Sequence, residues 1–394
     1  MFTKFFPARR YKKKGRRIFN SVCVDDIASA APTVSNDVLG PPPYRIAFVI
    51  PGMPKYSGGH TSILRIGTSL SNAGNEVYYV TNDLSSVEEM KSNAAFNLPT
   101  YKGIFLEKAS LGNQVYDIGI ATLWTTCYTI AANTEVFRYK AYFVQDFEPY
   151  FYPMGDLYYL SLNSYRMGFH IISLGGWNKK VIEEKLPGVQ ADAIDFPVAL
   201  EHYPIVSRDI VFGDEVVIGA YVKEDPKRGP LLVSQQLLRT ARDLELRGKK
   251  ASIIFFGLDR RIPVPFGVNA GKLSHAELRA LYQKLHFGVV ASLTNISLVN
   301  YEMLAQGVAV VDYVEGSAPS FFSSKEMIFA GSGIDSLSTS IMHYLDHPAE
   351  LAELVKRGQT RLRSLSWDES AAQFARCLGR RNSTVEVVNS EAEL

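Results

Sequence analysis

Apolar positions along the chain fall into two recurring patterns. Short runs rich in β-branched and aromatic residues, at 44–52 (YRIAFVIPG), 76–81 (EVYYVT), 116–122, 140–146 and 169–177, read as strands. Between them lie stretches with helical spacing, such as 58–75, where Ile63, Ile66, Leu70 and Ala73 share one face and Gly74-Asn75 ends the run. The polar segment 178–186 (NKKVIEEKL) is a further helix, stopped at Pro187-Gly188. The second half repeats this grammar. Strands are expected at 215–222, 251–257, 287–292 and 308–314, and helices at 229–248, 274–285 and 297–307. Ser274 with Glu277, and Ser366 with Glu369, have the spacing of a capping box.

Alternating strands and helices whose strands are apolar almost throughout imply parallel sheets covered on both faces. A chain of 394 residues is too long for one ordinary core. The pattern therefore predicts an α/β protein of two facing Rossmann-like doubly wound domains. The expected boundaries are 44–205 and 206–365, followed by a helix over 366–380 and a tail over 381–394. Residues 1–43 show neither periodicity and read as a disordered arm.

Composition changes this picture little, and charge changes it at one end. The chain is 46% hydrophobic and 21% charged, with a formal net charge of +2, as for an ordinary soluble protein. No run of eighteen apolar residues predicts a membrane span, and no secretory signal is expected. Three cysteines without metal-ligand spacing suit a reducing cytoplasm. Residues 1–17 carry eight Lys or Arg and no acid, interleaved with Phe2, Phe5, Phe6 and Tyr11. Such an arm suits anionic lipid head groups, which would place the protein peripherally at the inner face of a membrane, and equally a solvated end. Nothing else resembles a nucleic-acid reading module, so no nucleic-acid partner is expected.

Candidate chemistry gathers at strand ends, where open α/β sheets bind ligands. Lys223 follows one strand directly, and Lys227 and Arg228 precede a helix, an arrangement that suits a diphosphate. Gly257 ends the next strand, and Gly271-Lys272-Leu273 precedes a capped helix and could present backbone groups to a base. Ser297 and Leu298 open a helix whose start could hold a phosphate, with Glu302 one turn in. Glu302 is a lone carboxylate in a segment almost free of charge until Asp312. Burying it without partners would be costly; accepting hydrogen bonds from ribose hydroxyls would explain it. In the first half, Gly58 and Gly59 stand at a helix start beside His60. Gln145, Asp146 and Glu148 stand at a strand end among Tyr150, Phe151 and Tyr152, a mixture suited to sugars. Neither G-x-G-x-x-G after the first strand nor G-x-x-x-x-G-K-[ST] is present.

The segment 297–312 (SLVNYEMLAQGVAVVD) resembles the signature of GT-B retaining glycosyltransferases of family 4. Residues 219–229 (GAYVKEDPKRG) are similar to that family's diphosphate-binding segment, with Lys223 where an Arg is usual. Residues 143–155 (FVQDFEPYFYPMG) resemble its bacterial surface-glycan rhamnosyltransferases. The resemblance spans about residues 44–380 and implies a metal-independent hexosyltransferase with no cofactor besides its nucleotide-sugar substrate. It implies a donor in the C-terminal domain, an acceptor held by Gly58, Gly59, His60 and Glu148, and a final helix crossing back to the N-terminal domain. Glu302 matches the second acid of the family's paired motif, and Thr294 replaces the first. Thr294 and Asn295 would then face the donor sugar, where a small neutral residue suits a 6-deoxyhexose. The expectation is transfer of L-rhamnose from dTDP-rhamnose, with retention, to a growing bacterial surface glycan on a lipid carrier. Asp146 and Gln145 are the candidate catalytic residues. The alternatives are a UDP- or GDP-linked donor on the same fold, or a non-catalytic scaffold binding glycan or nucleotide.

Overall fold

The computed structural model describes residues 24–391; the basic segment 1–17 lies outside them. A short helix, α1 (Val24–Ser29), precedes β1 (Arg45–Ile50), α2 (Gly58–Asn72), β2 (Glu76–Thr81), α3 (Val87–Asn97) and β3 (Ile104–Leu106). Next come β4 (Tyr116–Ala121), α4 (Trp124–Ala131), β5 (Phe137–Val144), α5 (Asp156–Ser164), β6 (His170–Leu174), α6 (Gly176–Lys185) and β7 (Ala191–Ile194). These seven strands form one sheet in the order β3-β2-β1-β4-β5-β6-β7, every pair parallel. After its first residue β1 is buried throughout, and β6 is buried over its whole length, as sheets covered on both faces require.

The second sheet contains β8 (Glu215–Tyr221), β9 (Lys250–Phe256), β10 (Val268–Gly271), β11 (Phe287–Val289), β12 (Ala309–Tyr313) and β13 (Ile328–Ala330). Its order, β10-β9-β8-β11-β12-β13, repeats that of the first six strands, again all parallel. Its helices are α7 (Pro230–Leu246), α8 (His275–Tyr282), α9 (Leu298–Ala305), α10 (Ser336–Asp346) and α11 (Pro348–Arg363). In each sheet the strand order reverses beside the first strand, between β1 and β4 and between β8 and β11. Crevices for ligands open at such switch points.

Local signals explain several boundaries. The Ser57 hydroxyl caps α2, and Ser274 with Glu277 forms the expected capping box of α8. Gly229, in the left-handed region, precedes Pro230 at the first turn of α7. The last helix, α12 (Trp367–Glu391), starts with the Ser366 hydroxyl accepting from the Glu369 amide at 3.1 Å.

The chain divides into two compact units. One takes the described residues up to Leu174, Asn178–Ile194 and those from Ala371 on; the other takes Gly175–Trp177 and Asp195–Ser370. Most of α12 thus returns to the N-terminal unit, where Phe374 packs edge-to-face on Phe143 of β5, ring centroids 5.3 Å apart.

Three boundaries differ from those the sequence suggests. Residues 24–43 are ordered against the N-terminal unit. Asp26 pairs with Lys108 at 2.7 Å and accepts from Thr129, while Asn36 and Ser35 hold Lys140. Residues 195–205 belong with the C-terminal unit. Phe196 packs on Tyr301, the Pro204 carbonyl accepts from the Gln306 side chain, and the His202 carbonyl accepts from Arg279. Finally, the segment read as a tail from 381 is helical to Glu391. The first two segments are fixed by long-range polar contacts, which leave no periodic trace in a sequence.

Candidate functional site

The C-terminal unit brings most of its candidates to the switch point between β8 and β11. Val222 leaves β8 buried, and Lys223 emerges with its ammonium 5.6 Å from the centre of the Tyr221 ring. The chain then makes a tight turn over Pro226–Arg228, its Asp225 carboxylate accepting from the Lys227 amide. Arg228 reaches across from this turn. Its Nη1 lies 3.4 Å from the Ala291 carbonyl and 3.5 Å from that of Asn295, past the end of β11. A guanidinium is thereby held close to the start of α9.

That start is densely wired. The Asn295 side chain accepts from the Ile296 amide, Ser292 Oγ from the Ser297 amide, and Ser297 Oγ from the Val299 amide. Asn300 donates to Ser292 Oγ and to Asp312 Oδ2, and Asp312 accepts from the Ser292 and Tyr313 amides. The fully buried Asp312 carboxyl, raised in pKa by desolvation against the pull of these bonds, is therefore a structural post. It holds the 292–300 loop, with the buried Thr294 and Asn295, against the sheet.

Glu302 lies one turn further on. Its residue surface is half-buried, but its carboxyl is enclosed enough for desolvation to push its pKa up to about 7. Tyr282 of α8 donates to Oε2 at 3.1 Å, and Tyr203 from the segment before β8 also hydrogen-bonds the carboxyl. These bonds oppose the rise. A carboxylate has about four acceptor positions, so two tyrosines leave capacity for ligand hydroxyls.

The two glycines play a different part from the one their missing Cβ atoms suggest. The Gly257 amide donates to the Gly271 carbonyl at 2.9 Å, and the Gly271 amide to the Asn269 side chain. A Cβ on Gly257 would meet the Tyr221 ring and the Val222 carbonyl at 2.8 Å, and one on Gly271 would collide with Arg260. Both have positive φ. They join the ends of β9 and β10, and the protein itself fills the space they leave. Of that segment Lys272 is exposed and Leu273 half-buried.

In the N-terminal unit, Gly59 at the start of α2 faces Gln145 past the end of β5. A Cβ there would stand 3.3 Å from Gln145 Oε1. His60 is turned inward, its Nδ1 2.7 Å from Ser57 Oγ, and burial lowers its pKa to about 4. Buried Asp146 accepts at 2.9 Å from the amide of Phe147. Glu148 departs from the acceptor-contacting role expected of it. It is 2% exposed, and its Oε2 accepts from the Trp124 amide at the start of α4 and from the Tyr142 hydroxyl. Its charge meets the positive end of the α4 dipole, so it serves as a helix cap. Trp124 and Tyr152 are joined nearby, at 3.0 Å between Nε1 and the hydroxyl.

Tyr203, His275 and Tyr282 carried no signal in the sequence, because each gains its place through a partner at least twenty positions away. Among the described residues no three His, Cys, Asp or Glu side chains gather as a metal site. Nor is any helix among them long and apolar enough to cross a membrane.

This architecture of two parallel-sheet α/β units has counterparts among solved structures. Sucrose-phosphate synthase from Thermosynechococcus elongatus is similar at a TM-score of 0.62 and 13% identity, over 86% of this chain and 99% of that one. The Anabaena protein HepE in complex with UDP and glucose gives 0.63 and 12%, over 88% and 100%. A variant of S. aureus TarM in complex with Fondaparinux, alpha-GlcNAc-glycerol and UDP gives 0.61 and 9%, over 85% and 100%. The fold is GT-B. A sequence model of the family described as "Glycosyl transferase-like" matches residues 234–376, which hold α9 and Glu302. A comparison with curated protein sequences finds no match.

Proposed function

We propose that the protein is a family 4 glycosyltransferase that moves L-rhamnose from dTDP-rhamnose to a growing surface glycan. The observation that carries the nucleotide-sugar part is the approach of Arg228 to the start of α9 with Glu302 one turn away, at the switch point of the C-terminal sheet. Lys223, Lys227 and Arg228 would neutralise the diphosphate, and the Leu298 amide would add a donor. Because charge develops on the leaving diphosphate, such fixed cations lower the barrier without a metal. Glu302 would accept from the ribose, Lys272 and Leu273 would line the base, and Thr294 and Asn295 the sugar. The N-terminal unit would hold the acceptor near Gly58, Gly59 and Gln145, with Asp146 nearest to a catalytic role. Attack would come on the face the diphosphate leaves, with retention. Cytoplasmic placement, a lipid-linked acceptor and membrane contact through residues 1–17 complete the proposal. UDP in the solved structures of HepE and TarM favours a second reading, a UDP-linked donor.

A thermal-shift series with dTDP, UDP, GDP and ADP at equal concentration separates these readings. A nucleotide at ~100-fold over its dissociation constant stabilises the folded state by about 2.7 kcal/mol. The expected result is a shift with dTDP alone, followed by transfer from dTDP-rhamnose that persists in EDTA. A shift with UDP alone selects the second reading, and no shift with any nucleotide overturns the donor site.

A further inference from the structure

The space that Gly271 leaves open is taken by one side chain, Arg260, from the connection between β9 and β10. A Cβ on Gly271 would run into the Arg260 stem and Nε. Two contacts hold the guanidinium there. Its Nε donates to the Ala270 carbonyl at 2.8 Å, and its Nη2 lies 4.0 Å from Glu277 Oε1. Glu277 is fixed in turn, because its other oxygen accepts from the amide and the hydroxyl of Ser274 in the capping box of α8. The turn that carries Arg260 is also wired to β10. The Asn269 side chain donates to the carbonyls of Asp259 and Ile262, both at 2.9 Å, and accepts from the Gly271 amide. Arg260 is nevertheless not buried, its side chain being 66% exposed. With Nε and Nη2 turned to the protein, it offers its flat face and Nη1 outward. Holding a long side chain in one place costs rotamer freedom, and an exposed ion pair returns little. A ligand for the open plane would account for the wiring.

We infer that Arg260 is the platform on which the base of the bound nucleotide stacks. The inference rests on the proposed nucleotide site. The diphosphate cradle of that reading lies at the ends of β8 and β11, whereas Gly271 ends β10, two strands from β8 in the sheet. At ~4.8 Å between neighbouring strands that is ~10 Å, a distance of the order of that from the phosphates of a nucleotide to its base. Arg260 is therefore beyond pairing with the diphosphate and within reach of the base. A guanidinium is planar and weakly hydrated, and it stacks on aromatic faces. Every base has such a face, and stacking one on a protein plane is worth roughly 5- to 100-fold in affinity. Arg260 thus gives the site its preference for a nucleotide over a bare diphosphate. The choice among bases is left to Lys272 and Leu273 beside it.

The test is calorimetric titration of the full chain with dTDP, UDP and pyrophosphate, which shares the diphosphate and lacks the base. Arg260→Ala should weaken both nucleotides by ~10-fold or more and leave pyrophosphate unchanged. Two further variants separate plane from charge. Arg260→Tyr keeps a flat ring and loses the cation, whereas Arg260→Lys keeps the cation and loses the plane. Both lose the guanidinium's bond to Ala270, so a merely structural role would leave them equal. Stacking predicts that Arg260→Tyr binds dTDP and UDP more tightly than Arg260→Lys does. Equal affinity in those two variants, tighter binding in Arg260→Lys, or a pyrophosphate affinity that falls along with the nucleotides' overturns the inference. A wild-type protein that binds no nucleotide overturns the functional reading and the inference with it. A wild type that binds dTDP or UDP, beside an Arg260→Ala protein that binds it equally well, leaves the functional reading standing and removes Arg260 alone.

Discussion

Glu302 shows how a single buried carboxyl can weaken a fold. Its carboxyl ionises near 4.5 when unfolded and at about 7 when folded, because desolvation outweighs the Tyr282 and Tyr203 hydrogen bonds. Below pH 4.5 both states are protonated and nothing is lost. As pH rises from there through 7, the unfolded state releases its proton first, and stability falls. The full loss is on the order of 3 kcal/mol, at ~1.4 kcal/mol for each tenfold weakening of the acid. Glu302→Gln keeps an acceptor for the tyrosines but cannot ionise. Urea denaturation should find the variant more stable than wild type at pH ~8, by up to that amount, and equal at pH ~4. Equal stability at both would mean that the carboxyl is solvated. The sequence singled out Glu302 as a lone carboxylate in an apolar segment, but the tyrosines that hold it were invisible there.

At the scale of elements, α4 depends on Glu148 from another strand's end. The first amides of a helix have no acceptor within it, and that of Trp124 is the one that Glu148 satisfies. Glu148→Ala would leave the Trp124 amide and the Tyr142 hydroxyl buried without an acceptor. A loss of about 3 kcal/mol in denaturant is expected, with Glu148→Gln losing less because one oxygen remains. A Glu148→Ala protein of wild-type stability that fails only to bind acceptor would restore the surface role. Period and caps made α2, α7, α8 and the long inner strands legible. The edge strands β3, β7, β10 and β13 have three or four residues each. That is too short for alternation to register, and they exist because a neighbouring strand supplies their hydrogen bonds.

For the whole molecule, the candidate binding and reacting groups belong to different units, so their substitutions should separate. Glu302→Ala should weaken nucleotide affinity by ~10- to 100-fold, the value of one or two lost hydrogen bonds to a charged group. Asp146→Ala should lower transfer by ~100-fold or more with nucleotide affinity near normal. Calorimetric titration beside a transfer assay reads both. Asp146→Ala with full turnover would remove that residue from the chemistry, and unchanged affinity in Glu302→Ala would remove Glu302 from the site.

The sequence alone determined the two-sheet α/β architecture and the crowding of polar residues at strand ends, because both follow from local periodicity and from where apolar runs stop. Only the tertiary structure decided what those residues touch. It set Glu302 between two tyrosines, turned Glu148 into a cap, closed Gly257 on Gly271, and moved residues 195–205 to the second unit. Burial and pairing between residues far apart in the chain are properties of packing, and no local pattern encodes them.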